Sequence, residues 1–327
     1  MSLSNISFII PCYNCAGTIE SVVREIEEAA AALTAGAYEI ILVNDASPDG
    51  AFSVINSICE ENPRVKAIDL AKNFGQHSAI MAGVKHAGGD ILVFLDDDGQ
   101  TPANEAGKLI NAIEGGLDVV FAEYDERRQP FWRRLGSRVN DLMAEALIDK
   151  PKNLYISSYC ACKRFVADEL RKYDGKYPYM TGLLLRAAGR AGNVPVTHRA
   201  RAAGTSNYTL KKLLALWFNG FTAFSVKPLR VATFMGFLLA LSGFLYGAYV
   251  IIKRFLFSEA PMGWSSIMAA LMFIGGMIMV MLGLIGEYVG RVYININKAP
   301  QYIIRRTINL NCPGVSGDGS RGQNDER

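Results

Sequence analysis

The sequence predicts an α/β fold with a mostly parallel sheet, followed by a two-helix transmembrane hairpin. Three observations carry this prediction. Short β-branched runs alternate with helical patterns through the first half of the chain, three of the strand ends there carry polar or acidic clusters, and the last third holds two long uncharged segments.

The strands are predicted at 6–10, 39–43, 65–70, 91–95 and 119–122, each a short apolar run bounded by polar residues. Helical spacing fills the gaps at 18–33, 51–61, 78–86 and 103–114, with Thr18 and Asp49 as N-terminal caps. Strands that alternate with helices pair in parallel, and right-handed crossovers cover both faces. In such an open sheet the ligand crevice lies beyond the carboxyl ends of the strands. Residues 11–14, 45–49 and 96–100 all fall there.

From 231 to 252, and again from 262 to 286, no side chain is charged, and each run reaches the roughly 20 residues that a helix needs to cross a bilayer. Lys227 and Arg230 precede the first run. Arg291, Lys298, Arg305 and Arg306 follow the second, against Lys253, Arg254 and Glu259 in the short connection. Basic flanks on both outer sides predict that both face the cytoplasm. Residues 210–224 mix Lys211 and Lys212 with Leu213, Trp217, Phe218 and Phe221, a composition suited to the headgroup region and also to a core helix. The predicted organisation is a catalytic domain over 1–208, an interfacial amphipathic region over 209–230, the hairpin over 231–290, a cytoplasmic juxtamembrane segment over 291–310 and a disordered polar tail over 311–327.

Composition agrees with this division. The 327 residues accommodate a full α/β domain with length to spare, and the chain is 50% hydrophobic and 20% charged. A net charge of +3 is too small to argue for nucleic acid, and the basic residues beside the apolar segments favour anionic lipid. Ser4 and Asn5 lead straight into a strand-like run with no basic region or cleavage site, so the first domain is expected in the cytoplasm. Cys12 and Cys15 form a C-x-x-C without a second pair, and Cys160 and Cys162 stand too close for a zinc site. Reduced structural thiols are the expected reading.

The strongest chemical signal is Asp96-Asp97-Asp98 at the end of the strand 91–95. Three carboxylates in one turn repel each other. Either water solvates the turn, or a divalent cation such as Mg²⁺ or Mn²⁺ compensates the charge and bridges to substrate phosphates.

Several further motifs stand in order around this triplet: Ile9-Ile10-Pro11-Cys12-Tyr13-Asn14, Val43-Asn44-Asp45-Ala46-Ser47-Pro48-Asp49-Gly50, and Lys72-Asn73-Phe74-Gly75-Gln76-His77-Ser78. With Asp96-Asp97-Asp98-Gly99-Gln100, Gly286-Glu287-Tyr288-Val289-Gly290-Arg291 and Pro300-Gln301-Tyr302, the chain resembles glycosyltransferase family 2 over nearly everything except the tail. The resemblance is closest to the polyprenyl-phosphate branch, which includes undecaprenyl-phosphate aminoarabinose transferases and dolichol-phosphate mannose synthase.

That resemblance implies a GT-A type, Rossmann-like fold anchored in the cytoplasmic (inner) membrane. It implies transfer of a sugar from a nucleotide diphosphate, a UDP-sugar, to a polyprenyl phosphate such as undecaprenyl phosphate, metal-dependent and inverting. By the same resemblance Pro11, Tyr13, Asn14, Asp45, Ser47, Asn73, Gln76, Asp96 and Asp97 contact the nucleotide, while Asp96 and Asp98 hold Mg²⁺ or Mn²⁺. Asp97, Asp98, Arg127 and Arg201 are the catalytic candidates. Arg127, Arg201 and Tyr208 are the candidates for the acceptor phosphate, although for the two arginines a surface ion pair is an equal reading.

The chain also departs from the family pattern. Asn14-Cys15-Ala16 lacks acids, Asn44 stands where Asp is common, Tyr124 where relatives carry Arg, Asn207 where a Lys is usual, and 156–159 lacks an acid. These departures keep open an inactive nucleotide-sugar-binding anchor or regulator. A processive polysaccharide synthase would need a Gln-x-x-Arg-Trp motif, and a lipid transporter would need an ionisable residue inside a span before Glu287. Gly275, Gly276 and Gly283 are small enough for helix packing, which leaves a homo-oligomer open.

Overall fold

The computed structural model describes residues 4–33, 37–124, 151, 154–176, 178–197, 264–296 and 300–310, with scattered positions from 234 to 252. Segments 209–230 and 311–327, most of the first uncharged run, and Arg127, Arg201 and Tyr208 lie outside the described residues. Two compact units emerge: Met1–Asn207 together with Lys298–Arg327, and Tyr208–Asn297.

In the first unit the chain runs β1 (Ile6–Cys12), α1 (Ile19–Ala32), β2 (Tyr38–Asn44), α2 (Ala51–Glu61), β3 (Val65–Leu70), α3 (Gln76–His86) and β4 (Ile91–Phe94). A short 3₁₀ turn (Ala103–Glu105), α4 (Ala106–Glu114), β5 (Val119–Tyr124), β6 (Cys160–Lys163), α5 (Arg164–Arg171), α6 (Met180–Ala187) and β7 (Ala191–Val196) follow. All five expected strands and all four expected helices are present.

One eight-stranded sheet results, in the order β7-β5-β6-β4-β1-β2-β3-β8. β1 pairs in parallel with β2 and β4, and β2 with β3. β6 pairs antiparallel with both β4 and β5, so β5 and its parallel neighbour β7 run the same way as β4. Only β6 and β8 are reversed. β8 (Ile304–Ile308) pairs antiparallel with β3, so this part of the segment read as juxtamembrane is the edge strand of the catalytic sheet.

The core explains the elements. Phe8, Ile9 and Ile10 of β1 and Ile40, Ile41 and Leu42 of β2 are fully buried on both faces of the sheet, as parallel strands require. Each such side chain contributes about 1.5–3 kcal/mol by leaving water. α1 buries Ile19, Val22, Val23 and Ile26, the three- and four-residue spacing of one helical face. On the other face α3 comes close to β1 at Gly83, where a Cβ would stand 2.5 Å from Ile9 Cγ2.

In the second unit the described helix is α7 (Trp264–Ile296), 33 residues or about 50 Å long. Its window Phe273–Gly290 is long and apolar enough to cross a membrane. Ile278, Val280 and Leu282 are exposed on it, the reverse of what water dictates for a soluble helix.

Candidate nucleotide and metal site

The strand order reverses across β1. From β1 the chain moves outward to β2 and β3, then returns to β4 on the other side. The crevice of an open α/β sheet forms where such a reversal occurs, beyond the carboxyl ends of the strands. At that point Tyr13, just past β1, donates its N–H to Asp97 Oδ2 of the acidic turn at 2.8 Å. The Thr18 hydroxyl donates to the Asp97 carbonyl at 2.7 Å. Thr18 does precede α1, but its hydroxyl serves the acidic turn instead of capping the helix.

The loops after β1 and β2 are also joined. Asn14, with φ of 58°, donates its N–H to Ser47 Oγ at 2.7 Å, and Ala16 donates to Asp49 Oδ2 at 2.8 Å. Asp49 Oδ1 accepts the Ser47 hydroxyl at 2.5 Å and the N–H of Ala51, the first residue of α2, at 3.1 Å. The expected cap therefore acts on α2 from one residue further back, with Gly50 between them at φ of 80°.

Asp45 has a more specific task than the sequence suggests. It is 3% exposed, and its two oxygens accept the N–H groups of Phe74 and Gly75 at 2.7 and 2.8 Å. Burial raises its carboxyl above the ordinary value, against those two N–H groups, which pull it down. The carboxylate expected to touch the nucleotide also shapes the 73–76 loop. Tyr13, Asn14, Asn73 and Gln76 are exposed, and Pro11 lies buried at the end of β1 beside Val43.

In the acidic turn, Asp96 Oδ1 accepts Gln76 Nε2 at 2.9 Å and Oδ2 accepts the Ser158 hydroxyl at 2.5 Å. Asp98 Oδ1 accepts the Gln100 N–H at 3.0 Å. Burial pushes the Asp97 carboxyl up to about 6; the bonds from Tyr13 and Cys15 pull it down, and the Asp96 and Asp98 charges raise it further. Among the described residues no group of three His, Cys, Asp or Glu side chains surrounds a metal position. A hard cation such as Mg²⁺ is commonly held by one or two carboxylates plus substrate phosphates, so Asp96 and Asp98 fit that donor set.

The architecture is shared with solved structures. One is glucosyl-3-phosphoglycerate synthase from Mycobacterium tuberculosis in complex with Mn²⁺, UDP-glucose and phosphoglyceric acid. It is 21% identical with a TM-score of 0.51, over 67% of this chain and 78% of that one, a likeness of fold. In sequence, residues 7–171 match glycosyl transferase family 2. The chain belongs to this family.

Residues 227–292 of the glycosyltransferase match the GtrB C-terminal hairpin. A prophage bactoprenol glucosyl transferase homolog of Escherichia coli K12 is 32% identical over 92% of this chain and 98% of its own length. An undecaprenyl-phosphate 4-deoxy-4-formamido-L-arabinose transferase of Klebsiella pneumoniae is 32% identical over 94% of each chain.

In this glycosyltransferase the fold brings Tyr13, Asn14, Ser47, Asp45, Gln76, Asp96 and Asp97 into one connected network, with Asp98 in the same turn as Asp97. Arg127, Arg201 and Tyr208 lie outside the described residues. Ser158 is a site residue that the sequence reading missed. Because β6 runs antiparallel, its entry rather than its exit lies at the carboxyl edge, which delivers Ser158 to Asp96. Tyr124, at the end of β5, meets Tyr155 edge to face at 6.4 Å; burial raises its phenol, and the Asp96 charge adds to the shift. The described cysteines are free and buried, and burial pushes the Cys12 thiol well up. A protonated thiol of this kind is chemically quiet.

Proposed function

We propose that this glycosyltransferase moves a sugar from a UDP-sugar to the phosphate of a polyprenyl phosphate, with inversion at the anomeric carbon. The observation that carries the reading is similarity along nearly the whole chain, hairpin included, to relatives whose names share a polyprenyl carrier while differing in the sugar. UDP is favoured because a structure of the same fold was solved with UDP-glucose and Mn²⁺.

In this reading Tyr13, Asn14, Asn73 and Gln76 line the nucleotide, and Pro11, Asp45 and Ser47 hold the loops that carry them. Asp97 locks the first loop to the acidic turn through the Tyr13 N–H. Mg²⁺ or Mn²⁺ held by Asp96 and Asp98 would neutralise charge on the diphosphate leaving group. An acceptor phosphate oxygen attacks the anomeric carbon as the bond to the diphosphate breaks. A phosphate monoester has its second pKa near about 6, so at neutral pH it is ionised and needs no general base. Arg127, Arg201 and Tyr208 are assigned to orienting that phosphate, a task that suits the planar guanidinium fork.

The match to a C-terminal hairpin and the apolar window of α7 support our reading of an enzyme anchored in the cytoplasmic membrane, with its catalytic unit and C-terminus in the cytoplasm and an interfacial role proposed for 209–230. A Cβ built at Gly275, Gly276 or Gly283 meets nothing within 4 Å, which leaves these positions open to helix packing in a homo-oligomer. A donor panel tests the function. Membranes carrying the full chain are incubated with labelled nucleotide sugars and undecaprenyl phosphate, and a UDP-sugar is expected to yield a labelled lipid. Labelling from GDP-sugars alone would overturn the donor assignment, and no lipid product from any donor would overturn the function.

A further inference from the structure

The bonds that shape the donor loops extend backward across the sheet to its last strand. Cys12, Asn44, Asp69 and Arg306 occupy one row across β1, β2, β3 and β8. Within it Asn44 Nδ2 donates to Asp69 Oδ1 at 2.7 Å, and Arg306 Nε donates to Asp69 Oδ2 at 3.1 Å. Asn44 Oδ1 accepts the Ser47 N–H at 3.3 Å, and Ser47 Oγ in turn accepts the Asn14 N–H. Asn44 and Asp69 are buried, whereas Arg306 lies over the Phe52 ring with its guanidinium carbon 3.8 Å from the centroid. The same strand entry grips the root of the 73–76 loop. Ala71 donates its N–H to the Ile303 carbonyl at 2.9 Å, and Arg305 Nη2 donates to the Ala71 carbonyl at 2.8 Å.

We propose that Arg306 is a positioning residue for the donor pocket, and that β8 sets the affinity for the nucleoside diphosphate without touching it. The proposal rests on the reading of the 13–14 and 73–76 loops as the nucleotide site. Among the described residues Arg306 is the cation that pairs with Asp69. Removing one member of a buried pair of this kind leaves the other uncompensated. Asp69 then loses the partner that fixes its carboxylate, and that change alters the acceptor that holds the Asn44 amide. The Asn44 orientation matters because its two contacts are complementary: Nδ2 needs an acceptor on β3, and Oδ1 needs the Ser47 N–H. A released amide frees the Ser47 turn and, through it, the Tyr13-Asn14 loop.

The test is calorimetric titration of UDP with Mn²⁺ into the full chain purified in detergent, because titration separates the dissociation constant from the fraction of competent protein. Arg306→Leu is expected to weaken UDP binding about tenfold, the scale of one lost hydrogen bond to a charged group, with stoichiometry retained. Arg306→Lys keeps the charge beside Asp69 and is expected to stay close to wild type. If Arg306→Leu does not fold, Arg306→Gln carries the same test, because it removes the charge but keeps a donor. An unchanged dissociation constant, or a lowered stoichiometry at unchanged affinity, would overturn the positioning role and leave Arg306 as structural support. A wild-type chain that binds no UDP would overturn the nucleotide site itself, and this inference with it.

Discussion

The Asp45 carboxylate joins two loops that are distant in sequence, since both of its oxygens accept backbone N–H groups from Phe74 and Gly75. Asp45→Asn turns one oxygen into a donor that faces another donor. Hydrogen bonds to charged groups are worth about 1.5–3 kcal/mol, so UDP affinity should fall roughly tenfold to a hundredfold. Titration of the full chain checks this, and an unchanged affinity would mean that the 73–76 loop is held by other contacts. At this scale the sequence revealed residues whose neighbours are local. Asp96, Asp97 and Asp98 crowd one strand end and were readable as a triplet, and Asp49 was readable as a cap. Ser158 was not, because its place beside Asp96 depends on the reversed direction of β6, which no local pattern encodes. The loop-holding role of Asp45 was hidden for a similar reason: sequence places a carboxylate at the strand end but does not give the burial and the backbone N–H partners that meet it there.

Among the elements, β1 to β5 and α1 to α4 were legible because each buries a continuous apolar run or a helical stripe. The three missed strands lack that signal. β6 is four residues long, β7 contains Gly192 and Pro195, and β8 carries Arg305 and Arg306 on an edge. Charge on an edge strand discourages pairing with other chains, and it also hides the strand from hydropathy. At the start of β2, Glu39 links three elements: its carboxylate accepts the Ser7 hydroxyl, the Lys66 ammonium and the Gly88 N–H, each at 2.5 Å. Burial alone would raise its carboxyl, but these three partners outweigh burial and hold it below the ordinary 4.5. A carboxyl depressed in the folded state adds stability above its unfolded value and loses it as pH falls through the folded one. Thermal unfolding of the purified chain should therefore show stability declining below about pH 4.5, and Glu39→Gln should flatten that limb. An acid limb identical in wild type and variant would remove Glu39 from the account.

Across the whole molecule, the two uncharged segments and their basic flanks announced the hairpin, and residues 227–292 match a C-terminal hairpin of that kind. The return of the chain after α7 to add β8 to the catalytic sheet was not legible, since a five-residue charged strand has no apolar pattern of its own. On the proposed reading of the hairpin as membrane-spanning, the pairing of β8 with β3 in one sheet calls for a chain that returns to the side on which the first unit folds. A C-terminal alkaline phosphatase fusion should accordingly be inactive, and a C-terminal green fluorescent fusion bright; an active phosphatase would contradict the two-span topology. The central claim, metal-assisted transfer of a sugar to a lipid phosphate at the acidic turn, is tested most directly by one radiochemical assay. Full chain, labelled UDP-sugar, undecaprenyl phosphate and Mn²⁺ should give label in the organic phase. Asp98→Asn should lower that transfer by about a hundredfold or more while leaving the melting temperature in place. Full transfer by Asp98→Asn, or by wild type in EDTA, would contradict the account.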